Sequence, residues 1–451
     1  MSTDKLIIVS GDGHAEAPPE VWERYLEPEY REFLPSALED NDKYVQLLGM
    51  FASFDDDLLA LIDPEGVWPN GRLGALGDVD QRLQQMDREG VAAEMVYWGE
   101  TQASHMFAPM WQAYPQELYA AGSRVYNRWL ADTFGEHRDR FYLCGDPGAG
   151  VDMDMMVKDL KWTADHGFRS AFIPMMFQRD DIPRLYDAYY DPYWAMLQEH
   201  GMWDVCHAGY GGKARSLADK IDEALANAAD GIDILDEINN KSEDFFHRAY
   251  EPLQALWQMM LGGVFDRFPD LRFVLTEVRA DWIPTMLAHL DAVYDRSRGE
   301  LAAKHKPSEY WHSNCIQSMS FVHKSEVPMR HEIGLENVIF GRDYPHPEGT
   351  WPNTLQWLRD AFAGVPEPEL RMVLGENAIT MLSLDRAELE GIAARVGFTV
   401  DDITGPGPEV DPRILESWDT RSGYLKPAEV AKPASIDALL AADPGLAVAV
   451  R

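Results

Sequence analysis

The chain has 451 residues, 46% of them hydrophobic, and sets 40 Lys and Arg against 76 Asp and Glu, a formal net charge of −36. A chain of this size buries roughly three quarters of its unfolded surface, so its core needs neither disulfides nor a structural metal. The acidic balance excludes a general affinity for nucleic acid or anionic membrane, because few cations stand ready to displace phosphate counterions. Its 14 Trp, 18 Phe and 18 Tyr exclude an acidic disordered chain.

Short β-type runs alternate with helical patterns along most of the sequence. Strands are expected at 6–10, 91–98, 141–145, 168–173, 203–207, 272–277, 314–318 and 337–341. The first apolar run is too short for a secretory signal, and nothing approaches the roughly 20 apolar residues of a membrane helix. Helices between the strands carry their own punctuation. Asp78 can cap one that presents Val79, Leu83 and Met86 and stops at Gly90; another spans 152–166 and stops at Gly167. Asp191-Pro192 opens a third, with Tyr193, Trp194 and Leu197, that stops at Gly201. Three scattered cysteines, Cys144, Cys206 and Cys315, make neither a disulfide framework nor a cysteine zinc site. A cytoplasmic protein is expected.

Eight strands with intervening helices fit an α/β architecture, a (β/α)₈ barrel or a doubly wound open sheet. Two stretches break the repeat, 15–77 after strand one and 208–247 after strand five. In a barrel both lie over the C-terminal face, where active sites are built. The barrel is expected to occupy 1–385. Beyond it, a helix over 387–396 leads into a Pro/Gly/Asp-rich tail, so 386–451 is expected to serve packing or a homodimer contact.

Chemistry gathers at three strand ends. Asp12-Gly13-His14 closes strand one, and alternation turns both side chains the same way. His207 ends strand five in apolar surroundings, and Gly341-Arg342-Asp343-Tyr344-Pro345-His346 follows strand eight. Alone, an Asp-x-His is more often turn chemistry, His207 a satisfied core histidine, and Asp343 a turn former. Together on one barrel rim they form a donor set for a divalent transition ion such as zinc, iron or manganese.

On these segments the chain resembles the amidohydrolase superfamily, in the branch that contains the aminocarboxymuconate-semialdehyde and γ-resorcylate decarboxylases. The matching runs include SGDGHAEAPPEVW (10–22), GFRSAFIP (167–174), FPDLRFVLTEVRADWIP (268–284), IGLENVIFGRDYPHPEGTWPNT (333–354) and GENAITMLSLD (375–385). The resemblance implies a (β/α)₈ barrel with one catalytic metal or a dinuclear centre, and ligand roles for Asp12, His14, His207 and Asp343. It also marks departures. Many relatives begin His-x-His or Glu-x-His where this chain has Asp12, and the decarboxylases place a His after strand six where this chain has Glu277. Glu277 is expected to bind a second ion, to act as an acid or base, or to steady a ligand from behind. Like-charge crowding at such a carboxylate raises its pKa or recruits a cation.

His346 is expected to touch substrate or orient a ligand. Arg279 and Arg342 are candidate anion anchors or inter-loop salt bridges, and His105 is a candidate for the pocket mouth. The resulting expectation is a metal-dependent hydrolase. A metal-activated water would attack a carbonyl-adjacent bond (ester, thioester, amide or C–C) of a small organic acid derivative, with Asp343 taking the proton. The alternative is non-oxidative decarboxylation of an aromatic or unsaturated acid on the same site. A non-catalytic binding protein on an inherited barrel is a third reading, disfavoured by the intact donor set.

Overall fold

A computed structural model gives the structure and describes residues 5–51, 56–67, 77–99, 106–107, 114–148, 152–174, 177–178, 183–208, 212–213, 251–297, 299–320, 323–346 and 349–420. His105, most of the 208–247 insertion and the tail beyond 420 lie outside the described residues. Eight strands, β1 (Val9–Ser10), β2 (Ala93–Trp98), β3 (Phe141–Gly145), β4 (Ser170–Phe172), β5 (Trp203–His207), β6 (Arg272–Thr276), β7 (Cys315–Ser320) and β8 (Val338–Gly341), pair in parallel in that order. The register runs Ser10 to Glu94, Cys144 to Ser170, His207 to Thr276 and Ser318 to Ile339.

The ends of this sheet meet. Gly11 N–H donates to the Phe340 carbonyl at 2.7 Å, Arg342 N–H to Ser10 Oγ at 3.0 Å, and Asp343 N–H to the Asp12 carbonyl at 3.1 Å. The sheet is therefore a (β/α)₈ barrel and not an open doubly wound sheet. Closure matters here because it lays the end of β8 against the end of β1, bringing residues 12–14 beside 342–346.

Strand boundaries shift where another partner takes over. The expected first strand shortens, because Leu6 N–H donates to the Phe398 carbonyl (2.7 Å) and Lys5 bridges Thr399. Strand six ends at Thr276, one residue early, because Glu277 turns into the left-handed region at φ 54°. The helix punctuation matches its local chemistry. Asp78 accepts from Gln81 N–H (2.9 Å), Asp152 from Met155 N–H (3.0 Å) and Asp385 from Glu388 N–H (3.0 Å), each an N-cap bond. Helix Asp191–His200 ends at Gly201 with φ 62°, and its Tyr193, Trp194 and Leu197 are fully buried against the barrel.

Past β1 the chain forms helices Pro19–Tyr25, Leu34–Phe51 and Asp56–Ile62 before returning to the barrel. Ile62 packs with Tyr344 and Trp351 in a small apolar cluster of its own on the C-terminal rim. Helices Arg386–Val396, Val400–Thr404 and Pro412–Thr420 follow the barrel. Trp418 in the last one is buried, 5.1 Å from the Trp357 ring, and Asp419 Oδ1 lies 2.6 Å from Lys324 Nζ in the loop after β7. All three cysteines are buried free thiols. Among the described residues no helix is long and apolar enough to cross a membrane.

Candidate metal centre

The ends of β1, β5, β6 and β8 converge on one buried cluster of acids and imidazoles. Asp12 alternates with Gly11 and Gly13, and both glycines are required by close approach. A Cβ on Gly11 would stand 2.5 Å from Ser318 Oγ, and one on Gly13 would stand 2.8 Å from Arg82 Nη2 and Glu94 Oε2. With the backbone pressed this far into the barrel, Asp12 and His14 reach its mouth: His14 Nε2 lies 3.5 Å from Asp12 Oδ1 and 3.0 Å from Asp343 Oδ1. His207 Nε2 lies 3.6 Å from Asp12 Oδ1 and 3.4 Å from Glu277 Oε2, and His346 Nδ1 lies 3.0 Å from Asp343 Oδ1. The six ligand and acid–base candidates from the sequence are thus in one place. Asp12, His14, His207, Glu277, Asp343 and His346 are all buried.

Two donor groups emerge, Asp12–His14–His207 and His14–Asp343–His346, each with its ligand atoms within 4.8 Å of one another. The residues fit a divalent ion on three counts. The Asp12-to-histidine separations of 3.5 and 3.6 Å are close to the ligand-to-ligand edge of about 3.4 Å that four bonds of about 2.1 Å to zinc would give. His14 Nδ1 faces the Trp98 carbonyl at 2.7 Å and His207 Nδ1 the Ala208 carbonyl at 3.1 Å. A carbonyl only accepts, so each Nδ1 carries a hydrogen, and each Nε2 turned to the cluster is free to bind an ion once it has given up any proton of its own, the arrangement of metal-binding histidines.

Charge is the third count. Burial, followed by the neighbouring His346, holds the His14 imidazole well below its ordinary 6.5 and keeps it neutral. His207 behaves oppositely. Burial acts to lower its pKa, but the Asp12 hydrogen bond and the Asp12 and Glu277 charges outweigh it and push the ring up to about 9. Three carboxylates in one buried mouth call for a cation, and a proton on His207 or a divalent ion answers that call.

Glu277 and Asp343 share a further property. They are two of three non-glycine residues with positive φ among the described residues, at 54° and 55°. Such conformations cost about 1–3 kcal/mol each and persist where surrounding structure dictates them, typically at functional sites. For Asp343 the residue type is a sign of this, since Asp tolerates the left-handed region; Glu277 gives none.

Beneath the rim lies a second charged group that sequence reasoning did not find. Glu94 of β2 accepts from Arg82 Nε at 2.5 Å and from Arg342 Nε at 3.0 Å, and all three side chains are fully buried. Arg82 also donates to the His14 carbonyl, and both guanidinium groups sit over the Tyr344 ring. Arg342 is therefore bound within the barrel seam, which is why it cannot serve as the anion anchor considered above. Arg279 pairs with Asp281 (Nη2–Oδ2 2.6 Å), a salt bridge within its own loop where one between loops was expected.

The aromatic side of the mouth was also not foreseen. Trp98 at the end of β2 and Phe172 at the end of β4 stack at 4.3 Å and 27°, and Trp98 lies 5.7 Å from the His207 ring. Its only sequence signal is an aromatic residue at the last position of each strand, a weak one in strands this apolar.

Comparison with known proteins agrees with this picture. The amidohydrolase family model matches residues 72–384. Among curated proteins none matches significantly. Solved structures share the fold. The 5-carboxyvanillate decarboxylase of Sphingomonas paucimobilis is 22% identical, with 84% of this chain and 100% of that chain covered at a TM-score of 0.56. A dihydroxybenzoic acid decarboxylase from a Polaromonas species, with bound manganese and the inhibitor 2-nitroresorcinol, is 17% identical over 85% and 99%, also at 0.56. An amidohydrolase from Mycobacterium avium subsp. paratuberculosis is 17% identical over 84% and 99%, at 0.59. By its family match and its barrel, the chain belongs to the amidohydrolase family.

Proposed function

We propose that the chain is a metal-dependent non-oxidative decarboxylase of a small aromatic or unsaturated carboxylic acid. The observation that carries this reading is the Trp98–Phe172 wall beside His207. A flat conjugated acid lying along it turns its carboxylate to the histidine–carboxylate rim. The decarboxylases of the same fold, one of them with bound manganese, support the same reading.

Asp12, His14 and His207 would hold the ion (manganese, zinc or iron), with Asp343 at its edge. A divalent ion there supplies positive charge that fixes the substrate carboxylate and draws electron density from the conjugated system. The chain's own groups do the proton work. Asp343 Oδ1 stands 3.0 Å from both His14 Nε2 and His346 Nδ1, and in its protonated form delivers the proton to the carbon that bears the carboxylate. The bond from that carbon to the carboxylate then breaks, its electron pair returns to the conjugated system, and carbon dioxide leaves. One proton replaces one carbon dioxide, with no change in oxidation state beyond that exchange. His346 orients Asp343 and passes the next proton to it.

Sequence alone ranks hydrolysis first. The aromatic wall and the decarboxylases that share the fold reverse that order. Hydrolysis remains the second reading on one observation, the Glu277 carboxylate 3.4 Å from His207 Nε2, where a general base for water is well placed. A cytoplasmic homodimer belongs to the proposal, as does a second ion at Glu277 in its dinuclear form.

The test is an isotope experiment on metal-loaded protein with a panel of hydroxylated aromatic and conjugated acids and their esters. Decarboxylation in D2O leaves one deuterium on the former carboxyl-bearing carbon and releases carbon dioxide. Incorporation of ¹⁸O from labelled water into a product carboxylate, without carbon dioxide, reverses the order again. Chelation should abolish turnover while leaving the far-UV circular dichroism unchanged, since the core folds without the ion.

A further inference from the structure

We propose that Glu326, together with Gln317, is a positioning residue that locks the turn after β6 so that the Glu277 carboxylate stays at the metal rim. This rests on the placement of Glu277 as a group facing the metal. The turn begins with Glu277 at φ 54°, a conformation that a side-chain-bearing residue leaves unless its neighbours prevent it. Two buried side chains from outside the turn tie its backbone immediately downstream. Gln317 Nε2, on β7, donates to the Val278 carbonyl at 2.6 Å. Glu326 Oε1, in the loop after β7, accepts from Ala280 N–H at 2.9 Å.

Both ties are built for rigidity. Gln317 is completely buried and Glu326 is 2% exposed, so neither bond competes with water. Glu326 is itself fixed, its Oε2 accepting from His323 N–H at 3.4 Å. The rest of the turn braces itself. Arg279 is paired with Asp281, its guanidinium lies 5.6 Å from the Trp282 ring centre, and Trp282 Nε1 donates to the Arg279 carbonyl at 2.6 Å. A self-braced turn moves as a unit, so the ties at 278 and 280 decide where its first residue points.

A carboxylate suits this task, because its two oxygens accept from Ala280 N–H and His323 N–H at once. Groups that orient metal-site residues from behind alter metal affinity by about 10–100-fold when removed. Glu326→Leu leaves the Ala280 amide without its acceptor and releases the turn, and Glu277 withdraws.

The experiment is a titration of the metal-free full chain with Mn2+, reading free ion by electron paramagnetic resonance. Glu277→Gln should weaken Mn2+ binding at least about tenfold, and Glu326→Leu should do so to a similar extent. Glu326→Gln, which keeps an acceptor oxygen, should bind within about threefold of the parent. The double variant Glu277→Gln/Glu326→Leu should be no weaker than the weaker single, since both remove one contribution. Additive losses, or Glu326→Leu with unchanged affinity beside a weakened Glu277→Gln, overturn the positioning role. An unchanged Glu277→Gln overturns its premise instead, and the two failures are told apart by which variant is silent. If Glu326→Leu fails to fold by circular dichroism, Gln317→Met removes the other tie in near-equal volume and is read against the same expectations.

Discussion

Two sets of buried charges lie next to each other in this barrel, sharing neighbouring residues along the chain. Glu94, Arg82 and Arg342 form one, and Asp12, Asp343, Glu277 and three imidazoles form the other. In the first, opposite charges meet at hydrogen-bond distance. Burial acts to raise the Glu94 pKa, yet Arg342 and Arg82 together bring it below its ordinary value. In the second, carboxylates converge with few cations, and His207 is drawn up to about 9 by them. Burial of charge alone therefore does not mark a functional site. What sets the second group apart is like charges brought together, which favour a bound cation or a proton on His207.

The largest effect that this contrast predicts is on stability. Glu94→Gln leaves two buried guanidinium groups without their shared carboxylate, and breaking such a pair costs about 3–5 kcal/mol. Denaturant unfolding should show that loss. A change below about 1 kcal/mol would mean the two clusters are not different in kind.

Asp343→Asn should do the reverse. Its amide keeps the shape and loses the proton, so the rate should drop at least about a hundredfold, with the unfolding midpoint hardly moved. An Asn variant near full turnover would place the proton on another group. Gly13→Ala tests the boundary itself, since its new methyl pushes on Arg82 and Glu94 from the backbone that carries Asp12 and His14. Overpacking of this kind costs about 1–3 kcal/mol, and both stability and Mn2+ affinity should fall. A variant in which only one falls would show that the clusters are mechanically separate.

The smallest effect appears only in acid. Because the Glu94 pKa is lowered on folding, the folded state holds its proton less readily than the unfolded chain. Its contribution is complete above the ordinary value of 4.5 and is lost as pH falls through the lowered value. Stability profiles of the parent and Glu94→Gln should therefore converge below that point and diverge above it. Parallel profiles would remove Glu94 from the acid response.

What the sequence revealed follows the same division. The N-cap at Asp78 is legible because donor and acceptor lie three residues apart; the same bond at Asp152 and Asp385 was read only as a helix start or not at all. Asp12, His14, His207 and Asp343 are legible because residues at strand ends of a barrel share a rim whatever their distance along the chain. Glu94 was hidden inside an apolar strand, with partners 12 residues before and 248 after it. Glu326 was equally hidden, since its bond to Ala280 spans the loops after β6 and β7, which only the pairing of those two strands brings together. Glu277 was visible as a residue but not as a conformation, because its positive φ is imposed from outside.

The Ile62–Tyr344–Trp351 cluster limits which loops could be grafted onto this barrel. Helix Asp56–Ile62 roofs Tyr344, the residue after Asp343, and Asn353 Nδ2 ties the Ile62 carbonyl at 2.9 Å. Tyr344 and Trp351 stand edge to face at 5.1 Å beneath that roof. Exchanging the helix for another loop would uncover part of two large rings beside Asp343. The inner face of the helix and the Asp343 loop therefore form one packing unit, and substitutions at an outward position such as Ala60, which is exposed, leave that unit intact.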